Sequence, residues 1–214
     1  MGLGNWWEEA VVPRMIRLGC GAEFISDIRG AVVPQAKGRV FELGCGGGLN
    51  QKFYDASRVT SFTGMDPSAK GLDYARAEAS AKGWQADIRP EFLGGVGEAL
   101  PFADDSFDTV VCTFTMCSVT DQARTLAELR RVLRPGGRFL YAEHGRSPEA
   151  KVARMQERID PLWAKVMGNC HLSRPVTSAV EAAGFAASPI HRGYSEKGPK
   201  FAGWMEWGTA VKAG

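Results

Sequence analysis

A chain of 214 residues is long enough to bury one sizeable core, and 44% hydrophobic with 23% charged residues is the balance of a folded globular protein rather than a disordered or fibrous one. Lys and Arg number 26 against 24 for Asp and Glu, so the formal charge is only +2. The densest basic group, Arg130, Arg131 and Arg134, falls on a predicted solvated helix face, and nucleic acid is therefore excluded as the favoured partner.

In chain order, residues 1–10 hold two Trp and two Glu where a secretory leader would have a basic segment followed by an apolar run. Trp6, Trp7, Val11, Val12, Met15, Ile16 and Leu18 give a helix one apolar face, and residues 22–28 predict a second helix ending near Gly30. Pro34 and Gly38 close this segment, which has no place in a sheet; residues 1–36 are expected to form a helical cap or lid. From residue 39 onward short apolar strands alternate with helices. Strands are expected at 39–43, 61–65, 91–95, 109–113 and 138–143. The helices between them are expected at 49–56, at 69–82 after Pro67 and before Gly83, and at 121–133 with Asp121 as cap and Pro135-Gly136-Gly137 as stop. Beyond His144 come a helix at 149–167, a shorter one at 175–183, and strands near 186–193 and 204–212. The alternation predicts a doubly wound α/β fold with a mostly parallel seven-stranded sheet and an antiparallel final strand.

No stretch approaches the ~18–20 apolar residues of a membrane span, so no stable membrane insertion is predicted. The five cysteines, Cys20, Cys45, Cys112, Cys117 and Cys170, contain no C-x-x-C pair. They read as reduced thiols of a cytoplasmic protein, with no metal site.

Glu42-Leu43-Gly44-Cys45-Gly46-Gly47-Gly48 directly follows the first strand. A turn this tight needs residues without a Cβ, and open α/β sheets take ligands at just such strand ends. Asp66 ends the second strand, where a carboxylate can accept hydrogen bonds from both ribose hydroxyls of an adenosine cofactor; a helix N-cap is the other role open to it. These features alone also fit a dinucleotide-binding domain, although the run departs from G-x-G-x-x-G.

The further motifs, in order, are Gly64-Met65-Asp66-Pro67-Ser68, Glu98-Ala99-Leu100-Pro101-Phe102 with Asp105-Ser106-Phe107-Asp108, and Arg131-Val132-Leu133-Arg134-Pro135-Gly136-Gly137. Over about residues 38–144 the set resembles the class I S-adenosylmethionine-dependent methyltransferases, the type that includes ubiquinone and menaquinone C-methyltransferases. Gly48-Leu49-Asn50, Met116-Cys117-Ser118-Val119, Glu143-His144, Asp160-Pro161-Leu162-Trp163 and Asn169-Cys170-His171-Leu172 are similar to the thiol S-methyltransferase-like branch.

The resemblance implies a Rossmann-like methyltransferase domain over residues 37–214, with an acceptor-pocket insert at about 145–175, and S-adenosyl-L-methionine as cofactor. It implies methyl transfer to a small, rather apolar molecule, a thiol sulfur first. Methylation of nitrogen, oxygen or carbon in a lipid or quinone-like acceptor, and a cofactor-binding domain without transfer, remain open at this point. Cofactor contacts are implied for Glu42, Gly44, Cys45, Gly46, Gly48, Asp66, Pro67, Val96, Gly97 and Thr113. Val96 stands where the family's Gly-Asp-Ala-Glu has the carboxylate that takes the adenine amino group, so adenine is expected to rest on apolar contact and backbone groups around Gly97.

Methyl transfer from a sulfonium is an in-line displacement, and a thiol acceptor reacts as its thiolate. His144 is the candidate catalytic base, with a merely supporting histidine as the alternative. Asp160 and His171 are candidates for a polar wall of the acceptor pocket or for packing of the insert. Cys117 and Cys170 line the pocket or fill small gaps in the core. Trp6, Trp7 and Trp163 roof the acceptor or pack in the interior.

Overall fold

The computed structural model describes residue 14, residues 20–84 and residues 88–213. The expected first helix, with Trp6 and Trp7, lies outside the described residues. Seven strands form one sheet: β1 Gly38–Leu43, β2 Val59–Asp66, β3 Glu91–Gly94, β4 Phe107–Thr113, β5 Leu133–His144, β6 Phe185–Tyr194 and β7 Trp204–Lys212, in the order β3-β2-β1-β4-β5-β7-β6. β7 runs antiparallel to both of its neighbours, β5 and β6, and the first five strands are parallel. The helices are α1 Glu23–Val32, α2 Ala69–Lys82, α3 Gln122–Val132, α4 Ala150–Val166 and α5 Thr177–Ala182.

Central parallel strands are covered on both faces, which is why β1 and β4 read as continuous apolar runs. Consecutive residues face opposite sides of the sheet. Phe41, Val110 and Phe139 join Leu126, Leu129 and Val132 of α3 and Val180 of α5, while Val40, Val111 and Leu140 join Val32, Tyr54 and Phe62 on the other side. The strand order reverses between β1 and β4, so the connections leaving these two strands diverge and open a crevice at their carboxyl ends.

The helix boundaries follow local chemistry. The Ser68 hydroxyl accepts the Gly71 N–H at 3.1 Å to cap α2, Gly83 closes it at φ +66°, and Asp121 caps α3 through the Arg124 N–H at 3.0 Å.

Three expectations are corrected. Gly30 does not end α1 but lies within it beside the Phe53 ring, with which a Cβ would make ordinary contact at 3.4 Å. The helix expected at 49–56 is reduced to a single 3₁₀ turn, Gln51–Phe53. Asn50 and Gln51 are pulled inward by polar partners, and the chain extends at Tyr54 so that its hydroxyl reaches Glu42. β5 begins at Leu133, directly after α3, because fully buried Leu133 already pairs with Phe107 across an irregularity that precedes the regular ladder. Among the described residues no helix is long and apolar enough to cross a membrane.

Leu129 is fully buried on the core face of α3. Leu129→Ala is expected to lower the unfolding free energy by about 2–5 kcal/mol in urea denaturation. Exposed Arg124→Ala is expected to stay within about 0.5 kcal/mol of the parent protein.

Candidate active site

The turn after β1 is built around atoms that are absent. Gly44 adopts φ +74°, a left-handed conformation, and donates its N–H to the Met65 carbonyl at 2.8 Å. A Cβ on Gly46 would collide with the Asp66 carboxylate. That close approach lets the Gly46 N–H donate to Asp66 Oδ2 at 3.0 Å, while the Ser68 N–H donates to Oδ1 at 2.8 Å. Each carboxylate oxygen has therefore accepted one bond and retains capacity for another. Since Ser68 caps α2, Asp66 is free of the capping role. Burial pushes the Asp66 carboxyl above its ordinary range, and the two N–H donors oppose that only in part.

Cys45 is buried against Leu72 and Ala75 of α2. Pro67 carries the chain from Asp66 to the Ser68 cap. Past β3, Val96 is 50% exposed, whereas Gly97 is buried where a Cβ would meet Thr125 and Leu43. Glu98 ties this edge down by accepting the Thr120 and Asp121 N–H groups at 2.7 and 3.0 Å.

Glu42 and Thr113 sit beneath the turn in a buried polar network. Asn50 Nδ2 donates to Glu42 Oε1 at 2.9 Å and to the Thr113 hydroxyl at 3.0 Å, and the Tyr54 hydroxyl donates to Glu42 Oε2 at 2.7 Å. From α1, Arg29 Nη1 donates to Asn50 Oδ1 at 2.7 Å and to Thr113 Oγ1. The Arg29 guanidinium also lies 5.0 Å from the centre of the Phe114 ring. Burial raises the Glu42 carboxyl to about 7 against the pull of Tyr54, Arg29 and Asn50, and burial lowers Arg29. Sequence reasoning missed Arg29 and Tyr54, which no motif marks, and saw Asn50 only as part of a family string.

A second buried acid organises the other side. Glu143 Oε1 accepts the N–H groups of Thr115 and Met116 at 2.6 and 2.7 Å, shaping the turn after β4, where Phe114 stands at φ +53°. Cys117 follows in that turn. His144, at the end of β5, places Nε2 3.2 Å from Cys170 Sγ. The segment after α4 is bound to the same place, because the His171 N–H donates to the Cys117 carbonyl at 2.8 Å and Arg174 Nη1 donates to the carbonyls of Met116 and Val119. Asp160 Oδ2 meets His171 Nδ1 at 2.7 Å, and its other oxygen accepts the Leu172 N–H. Trp163 packs edge-on against Phe201. The fold thus brings the glycine turn, Asp66, Cys117, His144, Cys170, Asp160 and His171 to one end of the sheet; Trp7 lies outside the described residues.

Comparison with known proteins adds three findings. Residues 41–141 match the family model for the methyltransferase domain. Thiol S-methyltransferase TMT1B of Homo sapiens is 34% identical over 79% of this chain and 69% of its own length, and thiol S-methyltransferase TMT1A of Homo sapiens is 36% identical over 77% and 66%. Among solved structures, a methyltransferase candidate from Bacillus halodurans C-125 superposes with a TM-score of 0.71 over 88% of this chain and 98% of that one, at 18% identity, which speaks for the fold alone.

Glu42 makes stability depend on pH. The unfolded side chain ionises near 4.5 and the buried one near 7, so between these values the native state holds a proton that the unfolded chain has lost. Stability is therefore expected to fall as the pH rises from about 4.5 to about 7. Glu42→Gln, which keeps an acceptor for Asn50, is expected to flatten this part of a Tm-against-pH curve.

Proposed function

Because the chain belongs to the class I S-adenosylmethionine-dependent methyltransferases, we propose that it transfers the cofactor's methyl group to the sulfur of a small, rather apolar thiol. One observation carries this reading: a cradle suited to an adenosine cofactor and a wall of sulfur and imidazole share the same end of the sheet. The cradle is the Gly44–Gly48 turn with the Asp66 carboxylate, and the wall is Cys117, His144 and Cys170. The two human relatives with thiol S-methyltransferase activity in their names support the same acceptor.

The residues fit the cofactor on structural grounds. The missing Cβ of Gly46 lets the turn close onto the Asp66 carboxylate, whose remaining lone pairs can accept the ribose 2′ and 3′ hydroxyls. Val96 and the backbone around Gly97 offer an apolar seat for adenine, without the usual carboxylate. Glu42 and Thr113, with their polar atoms engaged by Asn50, Tyr54 and Arg29, hold the turn in shape from beneath. When bound, S-adenosylmethionine supplies an electrophilic methyl on a sulfonium centre. The chain's own tasks are to align the acceptor sulfur with that methyl, to keep water out and to help the sulfur shed its proton. His144 is the group assigned to that last task, and Asp160, by fixing His171, shapes the wall beside it. An acceptor lone pair then forms the new S–CH₃ bond while the pair of the broken bond stays on the departing sulfur. The five thiols of Cys20, Cys45, Cys112, Cys117 and Cys170 are all free, which suits a reducing compartment, and we assign the protein to the cytoplasm.

Labelled-methyl transfer from S-adenosylmethionine to a panel of alkyl and aryl thiols, amines and phenols tests the acceptor. Label is expected on sulfur; transfer confined to amines or phenols would overturn the thiol assignment. Asp66→Ala is expected to weaken cofactor binding in calorimetry by about 1.5–3 kcal/mol, since the lost bonds have a charged acceptor. Ser68→Ala is expected to cost about 1 kcal/mol of stability through the α2 cap and to leave the affinity in place. Equal cofactor affinity in Asp66→Ala and the parent protein would remove Asp66 from the site.

A further inference from the structure

Cys117, His144 and Cys170 are far apart in sequence, and their spacing matches no metal motif. The fold nevertheless gathers one ligand-type atom from each into a group whose members all lie within 4.8 Å of one another. We propose that these three side chains bind one thiophilic divalent cation, zinc by their chemistry, and leave its fourth tetrahedral position open to the acceptor's sulfur. The cation site stands on its own geometry, while the use of its fourth position rests on the thiol reading above.

Tetrahedral zinc, with Zn–S about 2.3 Å and Zn–N about 2.0–2.1 Å, places its ligand atoms roughly 3.5–3.8 Å apart. His144 Nε2 and Cys170 Sγ already stand 3.2 Å apart, and the whole group closes on an ion with shifts on the order of 1 Å. Two sulfurs and an imidazole select zinc over the hard cations magnesium and calcium. The trio is also held in place by contacts that do not involve the ligand atoms. Glu143 shapes the turn that carries Cys117 through the Thr115 and Met116 N–H groups, the His171 N–H binds the Cys117 carbonyl, and Arg174 clamps the carbonyls of Met116 and Val119. Ligands fixed in this way lose little freedom when an ion arrives.

Three protein ligands with a vacant position are the arrangement of a reactive zinc site, whereas structural sites are closed by four. Among the described residues no fourth His, Cys, Asp or Glu joins the trio. Cys117 is buried and His144 and Cys170 are half-buried, so the trio lies beneath the surface at the edge of the core. Binding of the ion releases the two thiol protons of Cys117 and Cys170 to solvent. An acceptor R–SH that takes the fourth position releases its own proton to solvent and is held as the thiolate. Its lone pair then forms the bond to the cofactor's methyl while the methyl's old bond breaks with its electron pair left on the departing sulfur, and zinc stays divalent throughout. In this arrangement His144 helps the acceptor lose its proton as a ligand of the ion that replaces the proton.

The test uses cobalt(II) as a spectroscopic stand-in, added to full-length protein that has been stripped with a chelator and kept reduced with a phosphine. One equivalent is expected to produce a near-ultraviolet thiolate-to-cobalt band that zinc abolishes by competition. Cys170→Ser is expected to lose about half of that band, one thiolate of two. Calorimetry with S-adenosylmethionine verifies that each variant is folded. Absence of the band, its survival in the Cys117→Ser/Cys170→Ser double variant, or a Cys117–Cys170 disulfide found by mass spectrometry in its place would overturn the site. Adding a small alkanethiol to the cobalt-loaded protein is expected to strengthen the band. An unchanged spectrum, or full thiol methylation by the stripped enzyme, overturns the open position while the thiol reading stands. Cobalt binding without thiol methylation by the zinc-loaded enzyme overturns the thiol reading while the cation site stands.

Discussion

A carboxylate buried at the end of the first strand sets the shape of everything above it. Glu42 is only 2% exposed, and both of its oxygens are taken by side chains from the segment that follows the glycine turn, Asn50 and Tyr54. Burying such a group without partners would cost several kcal/mol, so the segment is compelled to fold back and supply them. That demand shortens the expected helix to a 3₁₀ turn, draws Arg29 of α1 into the interior and links β1 to β4 through Thr113. The glycine turn is thus supported from beneath by a network in which each polar group constrains the next.

The same device recurs along the carboxyl edge of the sheet. Glu143 at the end of β5 spends one oxygen on two backbone N–H groups of the turn after β4, and Asp66 at the end of β2 spends one oxygen each on Gly46 and Ser68. Glu42 organises the loop that follows its own strand, whereas Glu143 and Asp66 each organise the loop of another. The loop residues Gly46 and Cys117 are therefore held beside the strand-end residues Asp66 and His144 by a rigid sheet. Desolvation raises the carboxyls of both Glu42 and Glu143, opposed at Glu143 by the N–H groups of Thr115 and Met116.

Where the segment after α4 meets the β4 turn, the governing contacts are between backbone and side chain. Asn169 at φ +63° and Gly168 at φ +61° turn the chain sharply after α4 and deliver Cys170 and His171 to the β4 turn. Asp160, inside α4, then takes up both the His171 ring and the Leu172 N–H, fixing the helix and the following segment as one wall. Arg174 closes the same join from the other side by holding two carbonyls of the β4 turn.

Taken alone, the sequence determined whatever depends on local or periodic physics. Apolar runs marked β1 and β4, the 3.6-residue spacing of Leu126, Leu129 and Val132 marked α3, and Gly83 and Asp121 marked helix ends where the structure has them. The glycine turn and Asp66 were legible because a backbone turn packed against a strand-end carboxylate imposes residue types at short, fixed separations. Tertiary structure alone decided which distant side chains meet. Nothing local distinguishes Arg29 from a surface arginine of an amphipathic helix, or Tyr54 from any other core aromatic. Their roles arise only when α1 and the post-turn segment close over Glu42. Likewise nothing in the separate strings that hold Cys117, His144 and Cys170 shows that they meet, because three chain segments converge on one point only after β4 and β5 have paired and α4 has returned the chain to them.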